Sequence, residues 1–351
     1  MITLAPLARQ AVAADDSVLG PFASPGGTGL RADVSYGALI RASFQSAYWN
    51  SPAVIDADGR VIVDVGQPSR PGEFNQMTYN FGLFVGLAVQ AYESTLVSDD
   101  TPVDRFLAGD TGALTGIQQQ GLNEFRGGGS QCTQCHQGAE LSAAGVTIAS
   151  GANALDPRAL GFFRTGVSAL EDDPGAAGVD AFGSPLFPAP GGRASGAFKS
   201  PGLRNVELTG PYFHTGGAAT LEQVVEFYAR NGDVTAGGNL GPGVGNIRLD
   251  QQERAQIVEF LKALTEDRVR YERAPFDHPS LCVPVGYAES PAGVLRPDPS
   301  AGGAAAADLW ALVPAIGQHG SVVPLQTFAE LLLSVGRDGS RAHTLQQPCV
   351  P

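Results

Sequence analysis

The residues with the clearest chemical potential form one short string, Cys132-Thr133-Gln134-Cys135-His136. This C-x-x-C-H pattern is typical of c-type haem attachment. Two thiols three positions apart can form thioethers with the two vinyl groups on one porphyrin edge, and the adjacent histidine can then supply the proximal nitrogen to the iron. The string therefore predicts one covalent haem, held by Cys132, Cys135 and His136.

Two alternatives for the same string are a structural zinc site and a thiol–disulfide redox motif. A zinc site needs four ligands, usually from a second close pair, but the two remaining cysteines, Cys282 and Cys349, are far apart in the chain. A redox C-x-x-C usually follows a strand and begins a helix, whereas a predicted helix and the three glycines 127–129 precede this one. Haem attachment is therefore the favoured interpretation.

The second axial ligand can be narrowed by elimination. Electron-carrier cytochromes usually hold iron between His and Met, but the chain has only Met1 and Met77, both before the haem motif. The remaining candidates are His214, Tyr228, His278 and an open position. Tyr228 follows Leu221, Val224 and Val225 on one helical face, so we expect it to point inward, either at the iron or as a core tyrosine bonded to a carbonyl.

Several predicted helices must position these groups. Helical spacing indicates a helix over 114–125, and two capping boxes, Thr220 with Gln223 and Asp250 with Glu253, open two later helices. We expect helix 114–125 to cross helix 250–265, with Gly121 permitting close approach and Phe260 supplying bulk. Nearer the N-terminus, the sequence predicts a helix near Tyr36–Trp49 and a buried apolar helix over Phe81–Leu96.

The predicted fold class is all-α: a cytochrome c-like haem domain with long loops, a helical N-terminal portion and a loop-rich C-terminal extension. The corresponding segments are 110–270, 1–109 and 271–351. The 46 glycines and 25 prolines support extensive loops.

Charge and hydropathy exclude several functions. The 351 residues include 22 basic and 35 acidic side chains, a net charge of −13, which argues against a nucleic-acid partner. Only two of the cations are lysines, Lys199 and Lys262, so lysine-based chemistry has few candidates. No apolar run is long enough to span a bilayer, and the N-terminus lacks the pattern of a signal peptide.

Three stretches carry a resemblance to a known family: Tyr92–Thr115, the haem motif with its approach over 121–142, and Phe198–Asp233 with its string KSPGLRN…TGPYFHTGG. Together they resemble the C-terminal haem half of the bacterial di-haem cytochrome c peroxidases, a family that includes the di-haem enzyme that matures methylamine dehydrogenase. The resemblance covers about residues 80–270.

The resemblance implies roles for individual residues. Cys132, Cys135 and His136 match the thioether cysteines and the proximal ligand. Tyr228 matches the distal ligand of the electron-transferring haem, which is Met in the peroxidases and Tyr in the methylamine-related enzyme. His214 matches a haem-pocket histidine that is not usually a ligand.

Two further roles follow from the same resemblance. Arg204 matches an arginine near the haem, where a cation suits the propionates. Carbonyls at positions matching Thr209 and Pro211 contribute to a calcium site in the family, although the family's asparagine ligand has no counterpart here. Calcium is therefore only a further candidate cofactor.

Departures from the family shape the functional hypothesis. The family carries two C-x-x-C-H motifs and this chain one; the loop with the catalytic glutamate is not recognisable, so the catalytic residues are unknown. We interpret the chain as the C-terminal part of a longer di-haem protein, truncated or encoded separately from an N-terminal haem domain. The expected function is that of a peroxidase-type haem oxidoreductase in which this chain carries the electron-transferring haem; the alternative is a mono-haem electron-transfer protein.

The same hypothesis implies a location and a partner. Haem c is attached outside the cytoplasm, so we expect a periplasmic protein and a disulfide between Cys282 and Cys349. The net charge of −13 would steer a small redox carrier with a basic face, a cytochrome or a cupredoxin, towards the protein.

Overall fold

The computed structural model describes residues 1–145, 161–173, 178–179, 182–184, 196–234, 240–241, 243–287, 295–297 and 306–333. The chain divides into two compact units. The first contains Met1–Val97 and Tyr271–Pro324; the second contains Ser98–Arg270 and a helix at Phe328–Leu333. The division into segments 1–109, 110–270 and 271–351 stays a prediction. None of the helices in the described ranges has the length and apolarity needed to cross a membrane.

The helices, in chain order, are α1 (Tyr36–Ser43), α2 (Gln76–Tyr79), α3 (Phe81–Glu93), α4 (Pro102–Leu107), α5 (Gly116–Arg126), α6 (Leu221–Ala229), α7 (Gln251–Lys262), α8 (Asp267–Arg270) and α9 (Phe328–Leu333). Single 3₁₀ turns occur at Gly20–Phe22, Ser46–Tyr48, Cys132–Gln134 and Val206–Leu208. The strands are β1 (Val54–Ile55), β2 (Val61–Val63), β3 (Phe162–Phe163), β4 (Phe198–Lys199), β5 (Leu281–Tyr287) and β6 (Asp308–Val313).

The predicted all-α fold class is wrong, because the structure is mixed and contains three small antiparallel sheets. Each sheet has two strands: β1 with β2, β3 with β4, and β5 with β6. In the longest pair, Leu281 faces Val313 and Tyr287 faces Asp308. The partners in the second and third sheets are far apart in the chain, so their pairing depends on long-range backbone hydrogen bonds that no local periodicity reveals.

The expectation that the apolar helix α3 is buried is also wrong. Only Phe84 is buried, at 2% exposure, where it packs with Ile40 and Met77. Its neighbours on the helix are open to solvent, with Leu83 at 51% and Val89 at 49% exposure. Apolar composition indicates a tendency to be covered, but the first unit packs against a single face of this helix.

The core of the second unit is built on the crossing of α5 and α7, as predicted. A Cβ atom at Gly121 would overlap the carbonyl group of Gln256 and lie 2.8 Å from Cβ of Phe260. Phe125 and Phe260 pack with ring centroids 4.9 Å apart. The buried cluster around this crossing includes Val103, Leu114, Leu122, Leu203, Leu221, Val225, Ile257, Val258, Leu261 and Leu264.

Capping interactions fix where these helices begin. Both predicted capping boxes are present, Thr220 with Gln223 at α6 and Asp250 with Glu253 at α7. A third, Thr115 with Gln118, begins α5. Because each box satisfies backbone N–H groups in the first helical turn, the sequence sets the start of each helix that frames the site.

Candidate functional site

A cavity of about 500 Å³ lies within the second unit, and most of the predicted site residues line it. Its volume falls within the usual range for cofactor pockets. The groups with chemical potential on its wall are Cys132, Cys135, His136, His214 and Tyr228. The rest of the wall is largely apolar, with Phe163, Phe198, Leu203, Val206, Phe213, Val224, Val244 and Ile247 among its members. The fold therefore gathers residues that are up to about a hundred positions apart in the chain.

A tight turn presents the two cysteines to this cavity. Gln131 adopts a left-handed conformation with φ 58°, the 3₁₀ turn Cys132–Gln134 follows, and the backbone N–H of His136 donates to the carbonyl of Cys132 at 2.9 Å. Both thiols are free, and both line the cavity. The turn thus places two free thiols and an imidazole on one wall.

The raised pKa values of the two thiols argue against a thiol–disulfide redox motif. Burial, followed by the neighbouring Cys132, raises the pKa of Cys135 to about 11, and burial also raises the pKa of Cys132. A reactive C-x-x-C motif requires the opposite shift, because the thiolate is the nucleophile. Within the described residues, no group of three or more His, Cys, Asp or Glu side chains could hold a metal ion, so the zinc alternative finds no ligand set there.

The ring of His136 has the orientation of a metal ligand. Its Nδ1 lies 3.0 Å from the carbonyl oxygen of Leu141. A carbonyl only accepts, so Nδ1 carries the proton and the lone pair resides on Nε2. Burial lowers the pKa of His136, against the opposing effect of the Leu141 and Pro201 carbonyls. A neutral imidazole whose second nitrogen is fixed by a carbonyl is the usual arrangement for a metal-bound histidine.

Tyr228 contributes a polar group that has no hydrogen-bond partner among the described residues. It lies on α6, half-buried, with the rings of Phe227 and Phe213 edge-on at 5.1 and 6.2 Å. Burial, then the charges of Cys135 and Cys132, raises the pKa of its phenol. The phenol makes no hydrogen bond to any residue that the structure describes. By contrast, the hydroxyl of Tyr212, on the same cavity wall, donates to the carbonyl of Val206 at 3.0 Å.

These observations test whether the cavity suits a haem. Two free thiols at the attachment spacing, an oriented imidazole and an unpartnered phenol all line one apolar cavity. Tyr228 is half-buried and lines the cavity, and its phenol makes no hydrogen bond to a described residue, so the hydroxyl is available to a group that occupies the cavity. The residues therefore fit a covalently attached haem.

His214 is held by a different interaction. Its Nε2 lies 2.6 Å from Oδ2 of Asp173, and the same carboxylate oxygen accepts a hydrogen bond from Ser168 at 2.7 Å. The imidazole also stacks on Phe198, with ring centroids 3.5 Å apart and planes within 10°. Sequence reasoning missed Asp173, which no motif marks, and it assigned no role to Phe198, although Phe198 begins the third stretch of the resemblance.

Two other predicted residues lie outside the cavity lining. The guanidinium of Arg204 binds both carboxylate oxygens of Asp104, at 2.6 and 2.7 Å, and its Nε donates to the carbonyl of Ala139. His278 belongs to the first unit, where its Nε2 lies 2.9 Å from the carboxylate of Glu272. The fold thus engages both side chains in internal contacts.

The remaining expectations concern calcium and the disulfide. Thr209 and Pro211 both line the cavity, but the calcium site stays a prediction. Cys282 is disulfide-bonded. Cys349 lies outside the described residues, so its pairing with Cys282 also stays a prediction.

Comparison with known proteins supports the resemblance read from the sequence. The chain is 34% identical over 181 residues to the cytochrome c551 peroxidase of Nitrosomonas europaea, which covers 52% of this chain and 44% of that protein. It is 32% identical over 240 residues to the cytochrome-c peroxidase IdrP2 of Denitromonas iodatirespirans, covering 65% and 61%. It is 29% identical over 180 residues to the methylamine utilization protein MauG of Methylorubrum extorquens, covering 51% and 43%.

The matches cover only part of each relative. The chain spans about half the length of the curated relatives that it matches. No family model matches the chain.

Proposed function

Because this chain is a relative of the bacterial di-haem cytochrome c peroxidases and of MauG, we propose that it is a c-type haem oxidoreductase of that kind and that it carries the electron-transferring haem. The observation that carries the proposal is the single cavity lined by Cys132, Cys135, His136 and Tyr228.

Each of these side chains has a distinct role in the proposal. Cys132 and Cys135 would hold the haem by thioethers, Nε2 of His136 would bind the iron, and the phenol of Tyr228 would bind or contact the iron from the cavity wall. When bound, the haem supplies a centre that accepts and releases one electron at a time. The apolar wall excludes water and lowers the local dielectric constant, which strengthens the effect of each nearby charge on the iron.

The identity of the distal group favours electron transfer over peroxide binding at this site. If the phenol of Tyr228 binds the iron of a bound haem, no open position for peroxide would remain at that iron. A phenolate is a hard anionic donor that stabilises ferric iron, so a low reduction potential is expected for a c-type haem. On this proposal a second haem, in a domain attached to this chain or in a separate protein, reacts with peroxide.

The charge of the chain supports the remaining parts of the proposal. A small redox carrier, a cytochrome or a cupredoxin, would deliver electrons, because a net charge of −13 attracts a basic face. We place the protein in the periplasm, since haem c and disulfides both belong to extracytoplasmic compartments; Cys282 is disulfide-bonded.

The alternative is a mono-haem electron-transfer protein with no peroxidase activity. The observation that favours it is the single C-x-x-C-H motif in the 351 residues. On this alternative, the chain supplies electrons to a partner that performs the chemistry.

One experiment tests the proposal and separates it from the alternative. The protein is produced in a periplasm that contains haem c maturation enzymes, and intact mass and a pyridine haemochrome assay count the haems. One covalent haem is expected, and it should be lost in the Cys132→Ser, Cys135→Ser double variant. Colour that moves into acidic acetone would contradict covalent attachment.

The second half of the experiment measures activity. Peroxide-dependent oxidation of a reduced small cytochrome is measured twice. The first measurement uses this chain alone, and the second uses a longer form that also contains the proposed second haem domain. Activity in the longer form, with none in this chain alone, supports the peroxidase proposal, whereas activity of this chain alone would contradict its assignment as the electron-transferring part. Reduction by the small cytochrome without peroxide consumption in either form supports the mono-haem alternative.

A further inference from the structure

We infer that Lys199 binds a haem propionate and so acts as the cation that anchors the charged edge of the haem. The inference rests on the proposed function, because it assumes that the cavity holds a haem. It concerns a residue to which neither the sequence motifs nor the family resemblance assigned a role.

The cavity wall carries one cationic side chain and no carboxylate. Among the described residues that line the cavity, Lys199 is the single lysine or arginine, and none is an aspartate or a glutamate. The two imidazoles on the wall are already engaged: His136 with the carbonyl of Leu141 and His214 with the carboxylate of Asp173. A carboxylate inside this cavity would therefore meet one full positive charge.

Lys199 lies at the edge of the cavity. It is on β4, directly after Phe198, which stacks on His214, and directly before the buried Ser200. Lys199 itself is exposed although it lines the cavity, which places it at the solvent edge. The propionates are expected at that edge, because burying a carboxylate away from water is costly.

The ammonium group of Lys199 is available to bind a ligand, as far as the described residues show. Over the ranges that the structure describes, Lys199 forms neither a salt bridge nor a side-chain hydrogen bond. Arg204, the cation expected near the propionates, is already paired with Asp104 through two hydrogen bonds. The fold thus engages Arg204 elsewhere, and Lys199 at the cavity has no charged partner in the part of the chain that the structure describes.

A haem bound in this cavity would carry excess negative charge on its propionates. Two ionised propionates outnumber the single positive charge of a ferric porphyrin, so unbalanced negative charge remains on the haem. In a chain of net charge −13 the propionates need a nearby cation. One lysine at the mouth partly compensates them and favours binding of the haem in one orientation.

The test uses the haem-loaded protein and a matched control. Lys199→Gln removes the charge at similar length, and Lys199→Arg keeps it. The control is Lys262→Gln at the only other lysine, which binds Glu259 at 2.8 Å and does not line the cavity. The readouts are the midpoint potential of the haem, its salt dependence and the propionate bending bands in resonance Raman spectra.

Removing a cation near the iron stabilises the ferric state. We expect Lys199→Gln to shift the ferric-to-ferrous ratio at a fixed potential by about three- to tenfold towards ferric, where tenfold equals 59 mV for one electron. The difference from the unaltered protein should narrow at high salt, because an exposed pair is screened. Lys199→Arg, which keeps the charge, should keep the potential close to that of the unaltered protein. Lys262→Gln should leave the potential and the Raman bands unchanged.

The outcomes separate this inference from the proposed function. If the protein carries covalent haem but Lys199→Gln changes neither the potential nor the propionate bands, the inference is wrong and the proposed function stands. An equal shift in Lys262→Gln would show a general charge effect and also overturn the inference. If no covalent haem forms in the unaltered protein, the proposed function itself has failed.

Discussion

The Nε2 atom of His214 lies 2.6 Å from Oδ2 of Asp173, a side chain that is only 4% exposed. The carboxylate also accepts a hydrogen bond from Ser168, and the imidazole stacks on Phe198. His214 is therefore oriented by two neighbours, Asp173 and Phe198, and Ser168 in turn holds the Asp173 carboxylate. This geometry makes it a structural part of the cavity wall, while Tyr228, with no hydrogen-bonded neighbour among the described residues, faces the cavity.

Replacing His214 with alanine should destabilise the haem-loaded protein without changing the axial ligands. The expected loss is about 2–3 kcal/mol of unfolding free energy, because a buried carboxylate loses its main partner. Denaturant unfolding and the ferric absorption spectrum are the measurements. A new ligand set in the spectrum of His214→Ala would identify His214 as an iron ligand and refute its structural role.

The variant Tyr228→Phe should change the iron directly. If the phenol is the distal ligand, its loss removes a hard anionic donor, so the ferric spectrum should change and the potential should rise by at least about 59 mV, a tenfold change for one electron. Tyr212→Phe is the matched control, since that hydroxyl lines the same cavity but already donates to a carbonyl. Identical spectra and potentials in both variants would reduce Tyr228 to a core residue.

Gly121→Ala should disrupt the crossing of α5 and α7. A Cβ atom there would overlap the carbonyl group of Gln256, and backbone cannot move aside cheaply in a packed core. We expect a loss of about 3 kcal/mol or more in unfolding free energy. Gly116→Ala is the control on the same helix, because nothing lies within 4 Å of its Cβ position; it should change stability by less than about 0.5 kcal/mol. Equal stabilities of the two variants would disprove the close approach.

The pair of Asp104 and Arg204 should make stability depend on acid pH. Burial alone would raise the pKa of Asp104, but the hydrogen bonds from Arg204 and Thr101 outweigh it and hold that pKa below its usual value of 3.8. The contribution of the pair is therefore fully present above that value and is lost as pH falls through the lower pKa of the folded state.

The variant Asp104→Asn tests this pH dependence. It should cost about 1–2 kcal/mol at neutral pH, because the pair is half-buried and doubly hydrogen-bonded, and the difference from the unaltered protein should shrink on acidification. Asp233→Asn is the comparison, since its pair with Arg230 is exposed and should contribute less than about 0.5 kcal/mol. A stability difference for Asp104→Asn that stays constant between neutral and acid pH would contradict a lowered pKa for Asp104.

The local features of this protein were readable from the chain alone. The C-x-x-C-H string marked two thiols and an imidazole that line one cavity, the capping boxes at Thr220 and Asp250 indicated two helix starts, and Gly121 indicated a close helix crossing. The C-x-x-C-H string and the capping boxes each depend on residues within a few positions of one another. Gly121 depends on a single property, the lack of a side chain, which lets another helix approach closely. Such signals survive folding because local sterics and hydrogen bonding determine them.

Tertiary packing decided everything that joins distant residues. The pairing of β3 with β4 and of β5 with β6 made the fold mixed instead of all-α, and the exposure of α3 depends on which face the first unit covers. The partner of Arg204 is a carboxylate a hundred positions away, and the partner of His214 lies in a stretch with no pattern. Long-range partners are chosen by the complete packing of the chain, since a hydrogen bond or ion pair depends on the final positions of both groups and not on the order of the residues.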